Sequence, residues 1–256
     1  MNYSLTVFES IFDNKTDNKR FDYSSWGVFE RLLYDLSKKP GVKAKKGEKR
    51  PKNASPLISP AIYKPGTTRA NANVEAWAGW AALDIDSYEG TFESITERYN
   101  SYYYVCYSTA SSTIERPKFR LVFPLTEHVK ADSIRHFWYA LNKECNSIAD
   151  EQTKDLSRMY YVPAQYPNAY NFIFTHKGDL IDPQILMAKH PYSYKSSNNF
   201  LDALPEKMRQ TVLEYRKAQM TNNTVYWSSY RDCPFVNKKL LNEYRSIRSE
   251  EHTSEL

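Results

Sequence analysis

Glycine is scarce in this 256-residue chain: seven in all, at positions 27, 41, 47, 66, 79, 90 and 178. That is under half the usual share of about 7%. No set of them spells GxGxxG or GxxxxGK[ST], so a Rossmann fingerprint and a Walker phosphate loop are excluded. Cysteine is scarcer. Cys106, Cys145 and Cys233 are odd in number, far apart and outside any CxxC. Their spacing argues against a disulfide scaffold and against a zinc ribbon. Long apolar runs are also missing. The longest uncharged small-apolar stretch, 76–83, is eight residues, far short of the ~18 needed to span a bilayer. The N-terminal segment has no apolar core of signal-peptide length followed by a cleavage site. These absences point to a soluble cytoplasmic protein with no membrane partner.

What is present suffices for a packed core. Hydrophobic residues make up 41% and charged residues 25%. At roughly 150 residues per domain the length fits one large domain, or one domain and part of another. Lys and Arg number 35 against 30 Asp and Glu, a net charge of +5, which permits a polyanionic partner without requiring one. The last nine residues, 248–256, read as the translation of a widely used sequencing adapter, an artefactual tail to be set aside. The alternative is a natural acidic tail. Without its one Arg and three Glu, 34 basic and 27 acidic residues remain, a charge of +7. The expectation is that the natural protein continues past Ile247.

The pattern along the chain is mixed. Trp26, Phe29, Leu32, Leu33 and Leu36 recur at helical spacing, with Ser24 or Ser25 placed to cap the start. Residues 39–52 are Lys-rich and read as a loop, solvated or touching an anion. Short strands follow at 80–86, 102–108 and 118–124. Ile134, Phe137, Trp138, Leu141, Cys145 and Ile148 mark a strong amphipathic helix. Further strands are expected at 158–162 and 171–175, with a turn at Lys177–Gly178. Residues 193–199 read as a linker, and helical material resumes at 201–220 and near 238–244. The implied class is α/β (α+β): a domain over 1–190 with its core at 55–185, a linker at 191–200, and the start of a truncated helical domain at 201–247.

Several residues carry potential chemistry. Asp84 and Asp86 end an apolar run and point the same way from one strand. Two adjacent carboxylates repel, so such a pair either straddles a divalent cation or lies in a solvated turn. Lys118 and Arg120 repeat this geometry with opposite charge, alternating with Phe119, Leu121 and Phe123. The pair suits phosphate recognition, or it is an ordinary exposed face. Asp150, Asp155 and Arg158 surround the exit of the long helix. Either a third carboxylate joins Asp84 and Asp86 in a metal site, or these are capping charges. Tyrosine is abundant, 21 against 17 for Phe and Trp together. Base stacking is one reading, and strand cores are the other.

Four segments in order carry a resemblance. They are Leu83-Asp84-Ile85-Asp86, the Ser/Thr-rich stretch 107–113, the basic strand 116–125 ending in Pro-Leu, and Ala149-Asp150 leading through Asp155 and Arg158 to Pro163. With 57–63, Arg69 and the segment 227–235, they resemble the archaeo-eukaryotic primase superfamily, in particular the primase–polymerases of phages and plasmids. The resemblance implies an RRM-like catalytic sheet with an N-terminal α/β portion. It implies a DNA primase or polymerase, a nucleotidyltransferase working by a two-metal mechanism (Mg²⁺ or Mn²⁺) in phage or mobile-element replication. Asp84, Asp86 and Asp150 would be the catalytic, metal-binding carboxylates. Ser108, Ser111, Ser112, Lys118 and Arg120 would hold the nucleotide, with Arg158 and Arg69 as supporting residues. The implied partners are a single-stranded DNA template, nucleoside triphosphates and a replicative helicase. One departure is visible: the family's second motif carries a His where this chain has Ser112. That departure supports an alternative, a catalytically inactive replication-initiation or single-stranded DNA-binding module on the same fold. A two-metal nuclease is a third reading.

Overall fold

Every residue of the strand that carries Asp84 is buried, because the strand has a core on each side. The computed structural model describes residues 2–42, 55–149, 154–192 and 210, 211 and 214. Asp150, the Lys-rich stretch beyond Val42, the linker at 193–199, Cys233 and the tail at 248–256 lie outside the described residues. So does nearly all of 201–247. The chain divides into two units, Met1–Ser193 and Tyr194–Leu256. In the second, Gln210, Thr211 and Glu214 are helical. No helix among the described residues is long and apolar enough to cross a membrane.

The first unit is mixed α+β. Its elements run β1 (Tyr3–Phe8), β2 (Arg20–Tyr23), α1 (Trp26–Ser37), β3 (Leu57–Ser59), β4 (Ala61–Tyr63), β5 (Val74–Trp77), β6 (Trp80–Ile85), α2 (Ser94–Arg98), β7 (Tyr104–Ser108), β8 (Phe119–Pro124), β9 (Val129–Lys130), α3 (Ile134–Glu144), β10 (Tyr160–Tyr161), β11 (Ile173–His176) and α4 (Pro183–Lys189). Three antiparallel sheets form: a first, β10-β3-β1-β2, a central one, β11-β7-β8-β6, and a third, β4-β5-β9. Passing over β9 and β10 of the other sheets, the succession β6-α2-β7-β8-α3-β11 follows a β-α-β-β-α-β order along the chain, and in space the last strand pairs with the second rather than the first.

Strand alternation distributes the central sheet between two cores. Ala81, Leu83, Ile85, Cys106, Phe119, Leu121 and Phe123 face a core filled by Ile134, Phe137, Trp138 and Leu141 of α3. Trp80, Ala82, Val105, Tyr107 and Val122 face the other, against Trp26, Phe29 and Leu33 of α1 and Leu5, Ile58 and Tyr160 of the first sheet. Two of the buried indoles find acceptors, whereas those of Trp26 and Trp138 have none among the described residues. The Trp80 indole donates to the Ser4 carbonyl at 2.7 Å, and the Trp77 indole donates to that of Leu156 at 2.8 Å. Between them Gly79, at φ 79°, turns the chain from the third sheet into the central one. A side chain there would meet the left-handed penalty of about 1–2 kcal/mol.

Two local expectations are corrected. Ser25 occupies the N-cap of α1, but its hydroxyl makes no capping bond. The long amphipathic helix stops at Glu144, because Asn146 and Ser147 take left-handed φ of 61° and 57°. Cys145 and Ile148 still pack on the core beyond its end. The N-terminal forty residues hold two strands besides the helix. Cys106 and Cys145 are free and buried. Burial raises both thiols, Cys145 to about 12, so they are inert packing residues.

Candidate functional site

The two acidic and two basic strand residues meet across one register. On β6 and β8, Asp84 is the partner of Arg120. Asp84 Oδ2 accepts a hydrogen bond from Arg120 Nη2 at 3.1 Å. Two residues on, Asp86 Oδ1 lies 3.6 Å from Lys118 Nζ. The like charges of Asp84 and Asp86 are thus each faced by a cation from the neighbouring strand. The two pairs differ in setting. Asp84 and Arg120 are only 7% and 8% exposed, whereas Asp86 is exposed and Lys118 half-buried. A surface pair of the second kind contributes at most about 1 kcal/mol. The buried pair is different: removing one partner strands a charge in the interior.

Arg120 is held on all sides. The register continues across the sheet, Tyr107 opposite Arg120 and Arg120 opposite Asp84. The guanidinium lies 5.9 Å from the Tyr107 ring and 5.5 Å from the Tyr160 ring, within cation–π reach of both. Its Nη1 donates to the Tyr161 carbonyl at 2.9 Å. Burial alone would lower the Arg120 pKa, but the charges and hydrogen bonds of Asp84 and Tyr107 together outweigh it and the shift is upward. Burial pushes the Tyr107 phenol up to about 12. Tyr107 and Tyr160 therefore serve here as neutral walls. Two buried atoms of the pair have no hydrogen-bond partner, Asp84 Oδ1 and Arg120 Nε. Each such atom carries a cost of about 1–3 kcal/mol until something satisfies it.

Asp84 and Arg120 line a cavity of about 340 Å³. Arg69 and Arg158 line it too, with Asp155, Ser157 and Tyr161. The structure thus brings together Asp84, Arg120, Arg69 and Arg158 from four distant stretches of sequence. Arg69 also braces the loop after β1: its Nε and Nη2 donate to the carbonyls of Asp13 and Ile11, both at 3.2 Å. Three guanidiniums around one pocket suit a phosphate-bearing ligand.

Ser108, Ser111 and Ser112 do not line this cavity. Ser108 Oγ bridges to Phe172, just before β11, accepting from its N at 3.0 Å and donating to its carbonyl at 3.4 Å. It lines a separate cavity of about 200 Å³ with Ser37, Gln165 and Asn171. Ser112, 1% exposed, accepts from Lys118 N at 3.1 Å. Its carbonyl accepts from Tyr170 N at 2.9 Å. Both hydroxyls are engaged with main chain. Ser111 is exposed, its hydroxyl 3.4 Å from that of Thr109. Sequence reasoning missed Tyr107 and Ser157, and read Tyr160 only among the strand tyrosines. The parity of Tyr107 with Arg120 was the available signal; nothing local marked the others.

A divalent cation is tested by the same atoms. Asp84 Oδ1, buried and unpartnered, is a hard oxygen that fits one ion. Mg²⁺ commonly takes only one or two carboxylates and completes its shell with water and substrate phosphate. No three His, Cys, Asp or Glu side chains gather to hold a metal among the described residues.

Among solved structures, the chain is similar to the AEP domain of the cyanophage S-2L primase–polymerase (PrimPol). The identity is 9% and the TM-score 0.40, over 74% of this chain and 89% of that one. No curated protein matches. Residues 62–200, more than half of the chain, match the VapE N-terminal domain. That stretch contains Asp84, Arg120 and Arg158, and by this match the chain belongs to the VapE N-terminal domain family.

Proposed function

We propose that this domain is a nucleotidyltransferase of DNA replication in a phage or other mobile element, a primase or primase–polymerase working on a single-stranded template. One observation carries the reading: a pocket lined by Arg69, Arg120 and Arg158 with a buried carboxylate oxygen left unpartnered. The guanidiniums call for phosphate and the oxygen calls for a cation. A metal-bound nucleoside triphosphate brings both. Asp84, with Asp86 two positions on, would hold Mg²⁺ or Mn²⁺, which when bound supplies charge neutralisation on the triphosphate and activation of the attacking hydroxyl. Arg120, clamped between its tyrosines, fixes a phosphate by its planar fork. Arg158 and Arg69 add charge at the wall, and Lys118 stands beside Asp86. Asp150, Ser108, Ser111 and Ser112 remain part of the proposed site on resemblance. A single strand and a replicative helicase are the proposed partners.

The test is primer synthesis and extension on single-stranded DNA with Mg²⁺ or Mn²⁺. Activity abolished by Asp86→Ala and by Asp84→Asn, in folded protein, supports the reading. Activity unchanged in both refutes the site. A second reading is favoured by the pairing of each carboxylate with a cation: a non-catalytic replication-initiation or strand-binding module. It expects tight single-strand binding that is indifferent to metal and nucleotide.

A further inference from the structure

One exposed aromatic stands next to the arginine pocket, and neither core uses it. Ile11 lines the pocket. The next residue, Phe12, is 75% exposed. Among the described residues no aromatic ring lies against it. A large apolar side chain in water on a slack loop would be unremarkable, but this loop is braced. The Asp13 carboxylate accepts from Glu9 N at 3.0 Å and from Lys15 N at 3.2 Å, and pairs with Lys19. Asp13 N donates to the Ser10 carbonyl at 3.1 Å, and Arg69 N to that of Asn14 at 2.8 Å. The Arg69 guanidinium then ties down the carbonyls on either side of Phe12. One residue therefore lines the phosphate-suited pocket and fixes the loop that presents the ring.

Resting on the proposed nucleotide and strand binding, we infer that Phe12 is a stacking platform for an unpaired nucleobase whose phosphate occupies the arginine pocket. A nucleotide unit has these two parts, an anion and a flat apolar face. Stacking on a phenyl ring needs no base-specific hydrogen bond, so the platform is tolerant of sequence. The base belongs either to the single strand or to the nucleoside triphosphate.

The experiment uses the full chain and two ligand pairs. One is a labelled oligothymidylate of about 12 nucleotides against its abasic counterpart. The other is thymidine triphosphate against inorganic tripolyphosphate. Phe12→Ala is expected to weaken the base-bearing member of one pair about five- to hundredfold. It should leave the abasic or inorganic member unchanged. Weaker binding of the oligonucleotide assigns the platform to the strand, and weaker binding of the triphosphate assigns it to the nucleotide. Phe12→Trp should keep the affinity, and its fluorescence should be quenched by the same ligand. An unaltered melting temperature of Phe12→Ala excludes misfolding. Wild-type binding that Phe12→Ala does not change overturns the platform and leaves the function reading standing. An equal weakening on abasic or inorganic ligand also overturns stacking. If the wild type binds none of the four, both readings fall.

Discussion

Asp84 and Arg120 face each other across β6 and β8 with one carboxylate oxygen on the guanidinium at 3.1 Å and the other unpartnered. In the proposed function the pair is both a structural element and half of a binding site, and the two roles separate by mutation. Asp84→Ala leaves a buried unpaired guanidinium and should lower unfolding stability by about 3–5 kcal/mol in urea denaturation. Asp84→Leu combined with Arg120→Met replaces the pair by apolar side chains of similar length. It should return near wild-type stability while abolishing triphosphate binding. Wild-type stability in the single variant would contradict the burial argument.

Arg158 and Arg69 predict different phenotypes. Arg158→Ala removes pocket charge and should weaken nucleotide binding about tenfold. The slope of log affinity against log salt on a single strand should fall by about 0.7 for each phosphate no longer neutralised. Arg69→Ala should weaken binding and also loosen the loop it braces, seen as faster amide exchange at Asp13 and Lys15. Exchange rates unchanged in Arg69→Ala would deny the brace.

Ser112 and Ser111 also separate. Ser112→Ala deprives Lys118 N–H of its acceptor and should cost about 1–2 kcal/mol of stability. Ser111→Ala should cost none. Should Ser112→Ala instead keep full stability and abolish nucleotide affinity, its hydroxyl serves ligand rather than fold.

Glu144 sets a pH dependence away from the pocket. Burial would raise its carboxyl, but hydrogen bonds from His190, Lys189 and Tyr102 prevail and hold it below the ordinary value. A carboxyl lowered in the folded state contributes stability above its unfolded value of about 4.3, and loses it as pH falls through the folded value. Unfolding measured from about pH 6 down to pH 3 should show that decline, and Glu144→Gln should flatten it.

The elements legible in the sequence were those whose burial is decided by one period. The stripe from Ile134 meets a core on the face its spacing marks, and the unbroken apolar run before Asp84 has a core on each side. The first sheet was not legible, because its buried positions include Ser4, Thr6 and Ser59. Thr6 Oγ1 donates to the Ala61 carbonyl at 2.7 Å, and Ser59 Oγ accepts from Ala61 N at 3.2 Å. Hydropathy reads such positions as surface. At the site, the charges themselves were legible, but their pairing was not. A like-charged pair on one strand suggests a metal only while nothing opposite is known. The antiparallel register of β6 with β8 supplies the opposite charges at the same interval. The meeting of Arg69 and Arg158 at this pair is set by three sheets, and no local spacing encodes it.

The two rings that flank Arg120 bear on the kinetics of any ligand that reaches it. Tyr107 and Tyr160 confine the guanidinium, so its rotamer is chosen when the chain folds. An arriving anion then immobilises no long side chain, a step that otherwise costs about 0.5–1.5 kcal/mol. In the proposed function, recognition at Arg120 is preorganised, and selectivity among anions comes from how well each matches a fixed fork rather than from how far the protein adapts.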